Sequence, residues 1–261
     1  MDVTVITGAC GGLGGAFAKK LAAQGETLLL LGRDFAKLET LKAKLSDVSS
    51  AKIFTYEIDL ASESKRADFV EYCSQNGFRF RRLINVAGVD TQKAFSLYTQ
   101  EKISMQARVN FEGAVSLCHA AVSMKAKSLE IVNVSSVSGI YPMPYFALYS
   151  ATKRALWSFS VALRQELKRQ GVKVTAVLPG AIPTREDIKA HIAGQGLWGK
   201  LAAKSPEFVA EKSLLAVKKN KRTYIPGFCN RCMNFFTRLI PLSWKLKFIA
   251  NRWSKISKDA F

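Results

Sequence analysis

Residues 3–23 read VTVITGACGGLGGAFAKKLAA, and this stretch decides the fold. The apolar run at residues 3–7 predicts a β-strand, and the run from Phe17 onward has the spacing of a helix. Glycines between a strand and a helix let the backbone turn sharply and approach a pyrophosphate, whose charge the free N–H groups of the helix stabilise. The stretch therefore predicts a phosphate-binding turn, with an ordinary tight turn as the alternative.

The same alternation of short and long segments continues along the chain. Short runs rich in Val, Ile and Leu alternate with longer segments of helical period. The short runs are nearly continuous in apolar residues, as expected for strands that helices cover on both faces. An α/β fold with a doubly wound parallel sheet is predicted. Its strands are residues 3–7, 27–31, 53–57, 83–86, 129–134 and 172–178, with a last candidate at 223–225.

Composition predicts a globular protein of the cytoplasm. The 261 residues are 48% hydrophobic and 23% charged, which suits a chain with a sizeable core. The first strand-like run begins next to Met1, so we expect no secretion signal, and no uncharged apolar run reaches the roughly 18 residues of a membrane-spanning helix. The five cysteines are odd in number and suit buried thiols in a reducing compartment better than disulfides.

Positive charge is concentrated near the C-terminus. The net charge is +19, and residues 212–258 contain eight Lys, four Arg and no acidic residue. A domain at residues 1–225 and a basic amphipathic tail at residues 226–261 are predicted. The tail could lie on an anionic membrane surface, or pack on its own domain or on another subunit. Its apolar helical stripe consists of Leu242, Leu246, Ile249, Trp253 and Ile256.

The end of the second predicted strand bears on which dinucleotide is bound. In such a fold, the tip of this strand lies beside the adenosine ribose. An acidic residue there would bind the ribose hydroxyls and repel a 2′-phosphate, but the sequence has Gly32 and then Arg33, whose planar guanidinium suits a phosphate. NADP(H) is therefore favoured over NAD(H). Asp34 is interpreted as the N-cap of a helix that begins near Phe35.

A tyrosine and a lysine four residues apart carry the predicted chemistry. Tyr149 and Lys153 open a predicted helix, on which this spacing puts both side chains on one face. A phenol has a pKa of about 10, so it is a useful base near neutrality only where a nearby cation favours the phenolate. Lys153 can supply that cation, and a serine at the end of the preceding strand can hold a substrate oxygen beside the phenol. A buried tyrosine beside a surface lysine is the alternative for the pair taken alone.

Together these motifs resemble those of the classical short-chain dehydrogenase/reductase (SDR) family over residues 2–225. The glycine turn fits the TGxxxGxG cofactor loop of that family, and Tyr149 with Lys153 fits its YxxxK motif. Asn110 matches the asparagine of the catalytic tetrad, and the family's serine stands thirteen residues before the tyrosine, which selects Ser136 over Ser135. The predicted cofactor contacts are Gly8, Gly12, Leu13, Gly14, Arg33, Asp59, Leu60, Asn85, Ala87, Gly88, Tyr149, Lys153, Pro179, Gly180, Ile182 and Thr184.

The resemblance implies a Rossmann-like sheet of about seven strands in the order 3-2-1-4-5-6-7. It also implies hydride transfer between a nicotinamide and a carbonyl or alcohol, and a homo-oligomer, either a dimer or a tetramer. Tyr149 would be the general acid/base, and Ser136 would orient the carbonyl. Lys153 would bind the nicotinamide ribose and lower the tyrosine pKa, while Asn110 would position a proton-relay water.

Two departures from the family pattern stand out. Val86 replaces the second asparagine of an NNAG turn, which we interpret as a packing change. No basic residue occupies positions 9–11 to help Arg33 hold a phosphate, and this weakens the case for NADP(H).

The substrate is expected to depend on residues 139–146 and 185–204. The first of these segments is aromatic and apolar, which favours a hydrophobic carbonyl compound such as a ketone, a 3-oxoacyl compound or a lipid-like molecule. A dinucleotide-binding sensor or scaffold without turnover is the alternative function. No metal and no nucleic-acid partner are expected, because His119 and His191 lack spaced partners, Cys229 and Cys232 form a lone CxxC, and no nucleic-acid motif is present.

Overall fold

The computed structural model describes residues 1–184 and 202–254. Within them the chain alternates strands and helices, as the sequence predicts. The strands are β1 (Asp2–Thr7), β2 (Leu28–Gly32), β3 (Ile53–Glu57), β4 (Arg79–Asn85), β5 (Lys125–Val134), β6 (Lys173–Val177) and β7 (Thr223–Tyr224). The α-helices are α1 (Gly12–Ala22), α2 (Phe35–Ser46), α3 (Glu63–Gln75), α4 (Gln100–Ala107), α5 (Gly113–Ser123), α6 (Ala147–Glu166), α7 (Pro206–Lys218), α8 (Phe228–Thr237) and α9 (Leu242–Trp253).

The strands form one parallel sheet in the order β3-β2-β1-β4-β5-β6-β7. This order confirms the predicted doubly wound arrangement. The chain moves outward from β1 to β3 and then returns to the centre at β4, so the sheet reverses its direction of growth between β1 and β4. In such sheets the ligand crevice lies outside the carboxyl ends of the strands at this reversal point.

Helices cover both faces of the sheet, which explains why its strands are apolar throughout. Leu28 and Leu30 of β2 pack in one core cluster with α1, α2 and α7. Leu29 and Leu31 of the same strand point the other way and pack in a second cluster with α3 and α5. Because side chains alternate along a strand, both faces can be buried only if consecutive residues are apolar.

The fourth strand begins at Arg79, four residues before the predicted start. The first residues of β4 are polar, so the start of this strand does not show as an apolar run in the sequence. An ion-pair network explains how the sheet accommodates these polar residues. Arg82 donates hydrogen bonds to Glu26 at 2.7 and 2.8 Å and to Glu130 at 2.8 Å, and all three side chains are largely buried. Burial raises the pKa of Glu130, but hydrogen bonding and charge from Arg82 together with Lys173 bring it below its usual value.

The C-terminal residues form two helices, α8 and α9, after the short strand β7. In the apolar stripe predicted for this region, Leu246, Ile249 and Trp253 are half-buried, Leu242 is exposed, and Ile256 lies outside the described residues. None of the helices within residues 1–184 and 202–254 has the length and hydropathy that crossing a bilayer requires. The division into a domain at 1–225 and a tail at 226–261 stays a prediction.

Candidate active site

The glycine turn after β1 packs so tightly that side chains would not fit. Gly8 has a φ of +62°, and a Cβ on it would lie 3.0 Å from Cα of Ala87. A Cβ on Gly14 would lie 2.2 Å from the carbonyl oxygen of Gly8, and one on Gly12 would lie 2.8 Å from Cγ2 of Thr184. The N-cap of α1 is Gly11, which makes no side-chain cap hydrogen bond. The first N–H groups of α1 therefore face a cradle in which Gly8, Gly12 and Gly14 contribute no side chains, and this arrangement fits a pyrophosphate.

Thr7 ties this turn to the one that follows β4. Its Oγ1 accepts hydrogen bonds from the backbone N–H groups of Val86 and Ala87, both at 3.0 Å. Val86 itself packs against the core cluster that contains α1, which agrees with a packing role for this departure from the family pattern. Sequence analysis did not single out Thr7, although it is the last residue of a strand beside a glycine turn.

Asn85 occupies the core beneath the site. Its Nδ2 donates to Oδ1 of Asn133 at 2.8 Å and to the carbonyl of Ala114 at 3.2 Å, so the side chain joins β4 to β5 and α5. Ala87 and Gly88, which follow it, lie at the carboxyl end of β4 beside the glycine turn. A contact from Asn85 to a dinucleotide would therefore use its backbone, because its side chain is engaged inside the sheet.

The turn after β3 holds the predicted adenine-side residues. Asp59 is exposed, and its Oδ1 accepts a hydrogen bond from the N–H of Ala61 at 2.9 Å. Leu60 is buried in the core beside α5, where a Cβ on Gly113 would lie 3.1 Å from its own Cβ. Asp59 is thus accessible for a contact, whereas Leu60 supports the turn from within.

The tip of β2 carries two cations instead of one. Arg33 is exposed, and Asp34 caps α2 by accepting a hydrogen bond from the N–H of Lys37 at 3.0 Å, as the sequence predicts. Lys37 Nζ also pairs with Asp34 at 2.9 Å, and these hydrogen bonds hold the pKa of the Asp34 carboxyl below its usual value. Asp34 is therefore already engaged, and Lys37, which sequence analysis missed, brings a second positive charge to the tip.

Helix α6 presents Tyr149 and Lys153 together, as predicted from their spacing. Lys153 Nζ lies 5.7 Å from the centroid of the Tyr149 ring and donates a hydrogen bond to the carbonyl of Val134 at 2.9 Å. The lysine is buried, and burial lowers its pKa to about 8, against the opposing effect of the Asp90 carboxylate. A buried ammonium beside a phenol favours the phenolate, because a nearby opposite charge relieves the cost of its desolvation.

Asn110 lies against this lysine on a π-helical turn, Arg108–Glu112, between α4 and α5. Its Oδ1 accepts from the N–H of Val89 at 2.7 Å, and its Nδ2 donates to the carbonyl of the same residue at 2.8 Å. A Cβ on Gly88 would lie 3.1 Å from Nζ of Lys153 and 3.3 Å from Oδ1 of Asn110. The turn after β4, the π-helical turn and α6 thus converge at one point. Single-turn π segments are frequent at functional sites.

The two candidate serines at the end of β5 have different surroundings. Ser135 is 2% exposed, and its hydroxyl donates to the carbonyl of Lys153 at 2.7 Å, which anchors α6. Ser136 is 8% exposed, and its Oγ accepts from the N–H of Ser138 at 3.1 Å, so its proton is not committed by this contact. A Cβ on Gly139 would lie 2.9 Å from the backbone N of Arg154, so this segment packs closely on α6. These contacts support Ser136 rather than Ser135 as the serine that binds substrate.

The segment after β6 packs against the C-terminal helix α8. Pro179 accepts a hydrogen bond from the N–H of Val137 at 3.1 Å, and Ile182 packs against the core. A Cβ on Gly180 would lie 2.9 Å from Nδ2 of Asn230, a buried residue of α8 that donates to the carbonyls of Ala202 and Pro226. This asparagine is not among the residues predicted from the sequence. The structure gives it a supporting position behind the predicted nicotinamide segment.

An aromatic stack connects Tyr149 to α9. The ring of Phe146 stacks on Tyr149 with centroids 4.4 Å apart, and Trp253 stacks on Phe146 at 6.4 Å. Lys245 Nζ lies 5.6 Å from the ring centroid of Tyr141. Tyr145, which directly precedes Phe146 in the chain, has a φ of +62°. This left-handed conformation is costly for a non-glycine residue and is common where function requires strain. The stack places Trp253 of α9 next to the residues that precede Tyr149 in the chain.

The remaining candidates contribute little to this site. Residues 185–201, with His191 and most of the predicted substrate segment, lie outside the described residues, and His119 is exposed on α5. No group of three potential metal ligands occurs among residues 1–184 and 202–254. Cys229 and Cys232 are half-buried on α8.

A glycine-lined cradle at the reversal point of a doubly wound sheet, beside a half-buried tyrosine paired with a buried lysine, defines a nicotinamide-dependent oxidoreductase. Residues 2–191 match the family model described as short chain dehydrogenase. The chain belongs to the short-chain dehydrogenase/reductase family, as the resemblance indicated. It is an oxidoreductase of CH–OH and C=O groups that uses a nicotinamide dinucleotide.

Individual relatives extend this comparison. Dehydrogenase/reductase SDR family member 7B of Mus musculus is 31% identical over 267 residues, which cover 98% of this chain and 83% of that protein. The 3-ketodihydrosphingosine reductase of Bacteroides thetaiotaomicron is 32% identical over 185 residues, which cover 70% of this chain and 65% of that protein. A short-chain dehydrogenase from Sphingobium yanoikuyae, solved with NADPH, has a TM-score of 0.76 and 26% identity over 100% of this chain and 98% of its own.

Proposed function

We propose that the protein is an NADP(H)-dependent carbonyl reductase or alcohol dehydrogenase with Tyr149 as its general acid/base. The observation that carries the proposal is the buried ammonium of Lys153, 5.7 Å from the Tyr149 ring centroid and within reach of Asn110 and Gly88. A lysine is expensive to bury, so a fold keeps one where its charge is used. A sensor or scaffold that only binds a dinucleotide would not need this arrangement.

The bound nicotinamide supplies or accepts the hydride. In the direction of reduction, Tyr149 gives its hydroxyl proton to the substrate oxygen as the carbonyl carbon gains hydride, and the product is an alcohol. The Ser136 hydroxyl donates a hydrogen bond to the same oxygen and fixes its position. Lys153 stabilises the phenolate that remains. Asn110, held by Val89, positions the water through which Tyr149 recovers a proton.

The preference for NADP(H) over NAD(H) rests on the tip of β2. Arg33 is exposed there, and Lys37 adds the second cation that residues 9–11 do not provide. The Asp34 carboxylate, which would otherwise favour an unphosphorylated ribose, is held by the N–H and Nζ of Lys37. Two cations around an engaged carboxylate suit a 2′-phosphate.

A hydrophobic substrate is proposed from the walls beside Tyr149. Phe146 stacks on Tyr149 there and Trp253 stacks on Phe146, and polar substrate groups would lose hydration against these rings without gaining partners. The relative named 3-ketodihydrosphingosine reductase supports a lipid-like ketone. We also propose a homo-oligomer, which agrees with the exposed Phe95 and Leu97 before α4 and can be measured by sedimentation. Five free thiols support a reducing compartment such as the cytoplasm.

The decisive experiment is turnover of a panel of hydrophobic and polar ketones with NADPH and with NADH. Tyr149→Phe keeps the ring on Phe146 but removes the proton, so we expect kcat/KM to fall by about 10²- to 10⁴-fold without weaker NADPH binding. Tyr72→Phe on α3 is the matched control, since it removes a tyrosine hydroxyl from another helix. Comparing the turnover of Ser135→Ala with that of Ser136→Ala shows which of the two serines the reaction requires. NADPH binding without turnover of any ketone would favour the sensor, and full activity in Tyr149→Phe would refute the mechanism.

A further inference from the structure

The last two helices carry an apolar surface that faces solvent. Large side chains on it are strongly exposed, with Leu239 at 75%, Trp244 at 71% and Phe248 at 69%. On α9, Trp244 and Phe248 are four residues apart and therefore share one face. We call this surface the outer face. Its members on α8, α9 and the connection between them are Phe228, Phe235, Phe236, Leu239, Trp244 and Phe248.

Positive charge surrounds the outer face. Residues 228–254 contain five basic residues and no acidic residue. An open groove of about 620 Å³ between β7 and α8 adds to this charge, since Lys221, Arg231 and Arg238 line it beside Phe235. Long basic side chains next to exposed aromatics can lay their stems along apolar surface while their charged ends reach outward. The outer face thus combines exposed apolar side chains with basic residues of the same helices.

The opposite side of these helices is fixed on the protein. Asn230 of α8 is buried against Gly180, and Trp253 of α9 stacks on Phe146. The helices therefore present the outer face on an anchored support, and this face is not an inward surface that has swung away. The six side chains of the outer face are each more than 60% exposed and all fall within residues 228–248, whereas monomeric soluble proteins rarely expose large apolar patches except at interaction sites.

We propose that the outer face docks the protein on an anionic membrane surface, with its aromatic side chains among the acyl chains and its basic residues on the lipid phosphates. An anionic bilayer offers both an apolar layer and negative charge, and it requires no shape complementarity. A second copy of this chain would bring the same cations against one another across a two-fold interface, which disfavours that occupant. The proposal does not rest on the proposed reaction.

Flotation of the full chain with vesicles tests this docking. The protein should float with vesicles of phosphatidylcholine and phosphatidylglycerol, and much less with phosphatidylcholine alone. Trp244→Ser with Phe248→Ser should lower the partition coefficient by at least about tenfold, because each buried aromatic side chain contributes that much or more. Lys247→Glu with Arg252→Glu should lower it about tenfold or more, since each basic residue at an anionic surface contributes about fivefold.

Matched controls lie at the opposite edge of the sheet. Val48→Ser removes an exposed apolar side chain, and Lys52→Glu reverses an exposed charge beside β3, so both should float like the wild type. Lipids brominated along their chains provide a measurement on the unmodified protein. Tryptophan fluorescence should be quenched by these lipids, and Trp244→Phe should lose most of the quenching.

Several results would overturn the proposal. One is the absence of flotation with anionic vesicles, and another is equal flotation of the outer-face variants and the controls. Equal binding to neutral vesicles would also count against it. If light scattering showed instead that the wild type is an oligomer and that Trp244→Ser with Phe248→Ser dissociates it, the outer face would be a contact between copies. If an acidic protein bound the outer face while anionic vesicles did not, the proposal that the partner is a membrane would be wrong.

Discussion

Replacement of Gly14 by alanine tests the glycine turn most directly. The added Cβ would lie 2.2 Å from the carbonyl oxygen of Gly8, 2.8 Å from its carbonyl carbon and 2.9 Å from Cα of Ala9. Carbon–oxygen contacts of this kind are normally about 3.3–3.6 Å, so the backbone must separate by about 1 Å. All three neighbours are backbone atoms, so no rotamer change can relieve the overlap.

The cost follows from this geometry. Overpacking of a tight interior costs about 1–3 kcal/mol, and 1 kcal/mol corresponds to about 2–4 °C in melting temperature for a chain of about this size. We expect Gly14→Ala to melt several degrees lower. A shift of about 1 Å in the turn also moves the N–H groups of α1 away from the pyrophosphate, so the dissociation constant for NADPH should rise at least about tenfold.

The neighbouring glycine provides the control. A Cβ on Gly15 would lie 3.5 Å from the carbonyl oxygen of Ala9, an ordinary contact, and alanine inside a helix is about 0.5–1 kcal/mol better than glycine. Gly15→Ala should therefore melt slightly higher than the wild type and bind NADPH normally. Thermal unfolding by circular dichroism and NADPH fluorescence titration measure both quantities. If the two variants behaved alike, the tight approach of Gly14 to Gly8 would not be real.

Three further predictions concern charge and the aromatic stack. Burial lowers the Lys153 pKa to about 8 from an unfolded value of 10.5, so the unfolded chain binds more protons between these pH values and stability rises with pH across them. In urea unfolding of the cofactor-free wild type, the free energy of unfolding should rise by at most about 3 kcal/mol over this pH range, and Lys153→Met should not show the rise. Arg82→Leu removes the partner that Glu26 and Glu130 share, leaves Glu130 with Lys173 alone, and should cost about 3–5 kcal/mol in urea unfolding at neutral pH. The loss should shrink at acid pH, where the carboxylates protonate, and a loss that did not change with pH would contradict the ion-pair explanation. In a lipid-free assay, Trp253→Ala should raise KM for hydrophobic ketones several-fold, whereas Trp244→Ala should not. Equal KM values for the two variants would show that α9 does not contact the substrate.

The strands could be predicted because their signals are local, whereas their order in the sheet was implied by the family resemblance. Each strand is a short apolar run, and the glycines from Gly8 to Gly14 indicate the first turn. The beginning of β4 could not be predicted, because Arg79, Arg81 and Arg82 look like surface residues. Arg82 is tolerated in the sheet only through Glu26 and Glu130, which stand 56 and 48 positions away in the chain.

The site was predictable where its chemistry follows one element. Tyr149 and Lys153 share a helix face, so their spacing is enough to bring them together. Lys37 could have been found from the sequence, because it stands three residues after Asp34 on the helix that Asp34 was predicted to cap, whereas Asn230 meets Gly180 only through tertiary packing. Family spacing distinguished Ser136 from Ser135, and the hydrogen bond from Ser135 to the carbonyl of Lys153 gives a physical reason for that choice.

The C-terminal helices join three parts of the molecule that a truncation would not separate. Asn230 lies behind Gly180 on the cofactor side, Trp253 lies over Phe146 on the substrate side, and the outer face points away from both. A chain cut before α8 would lose the proposed membrane surface, the support of the predicted nicotinamide segment and one wall of the proposed substrate site together. Loss of flotation or of turnover in such a chain could not be assigned to any one of them. Point variants of exposed residues such as Trp244 leave the other two contacts in place, so they can test membrane docking separately from catalysis.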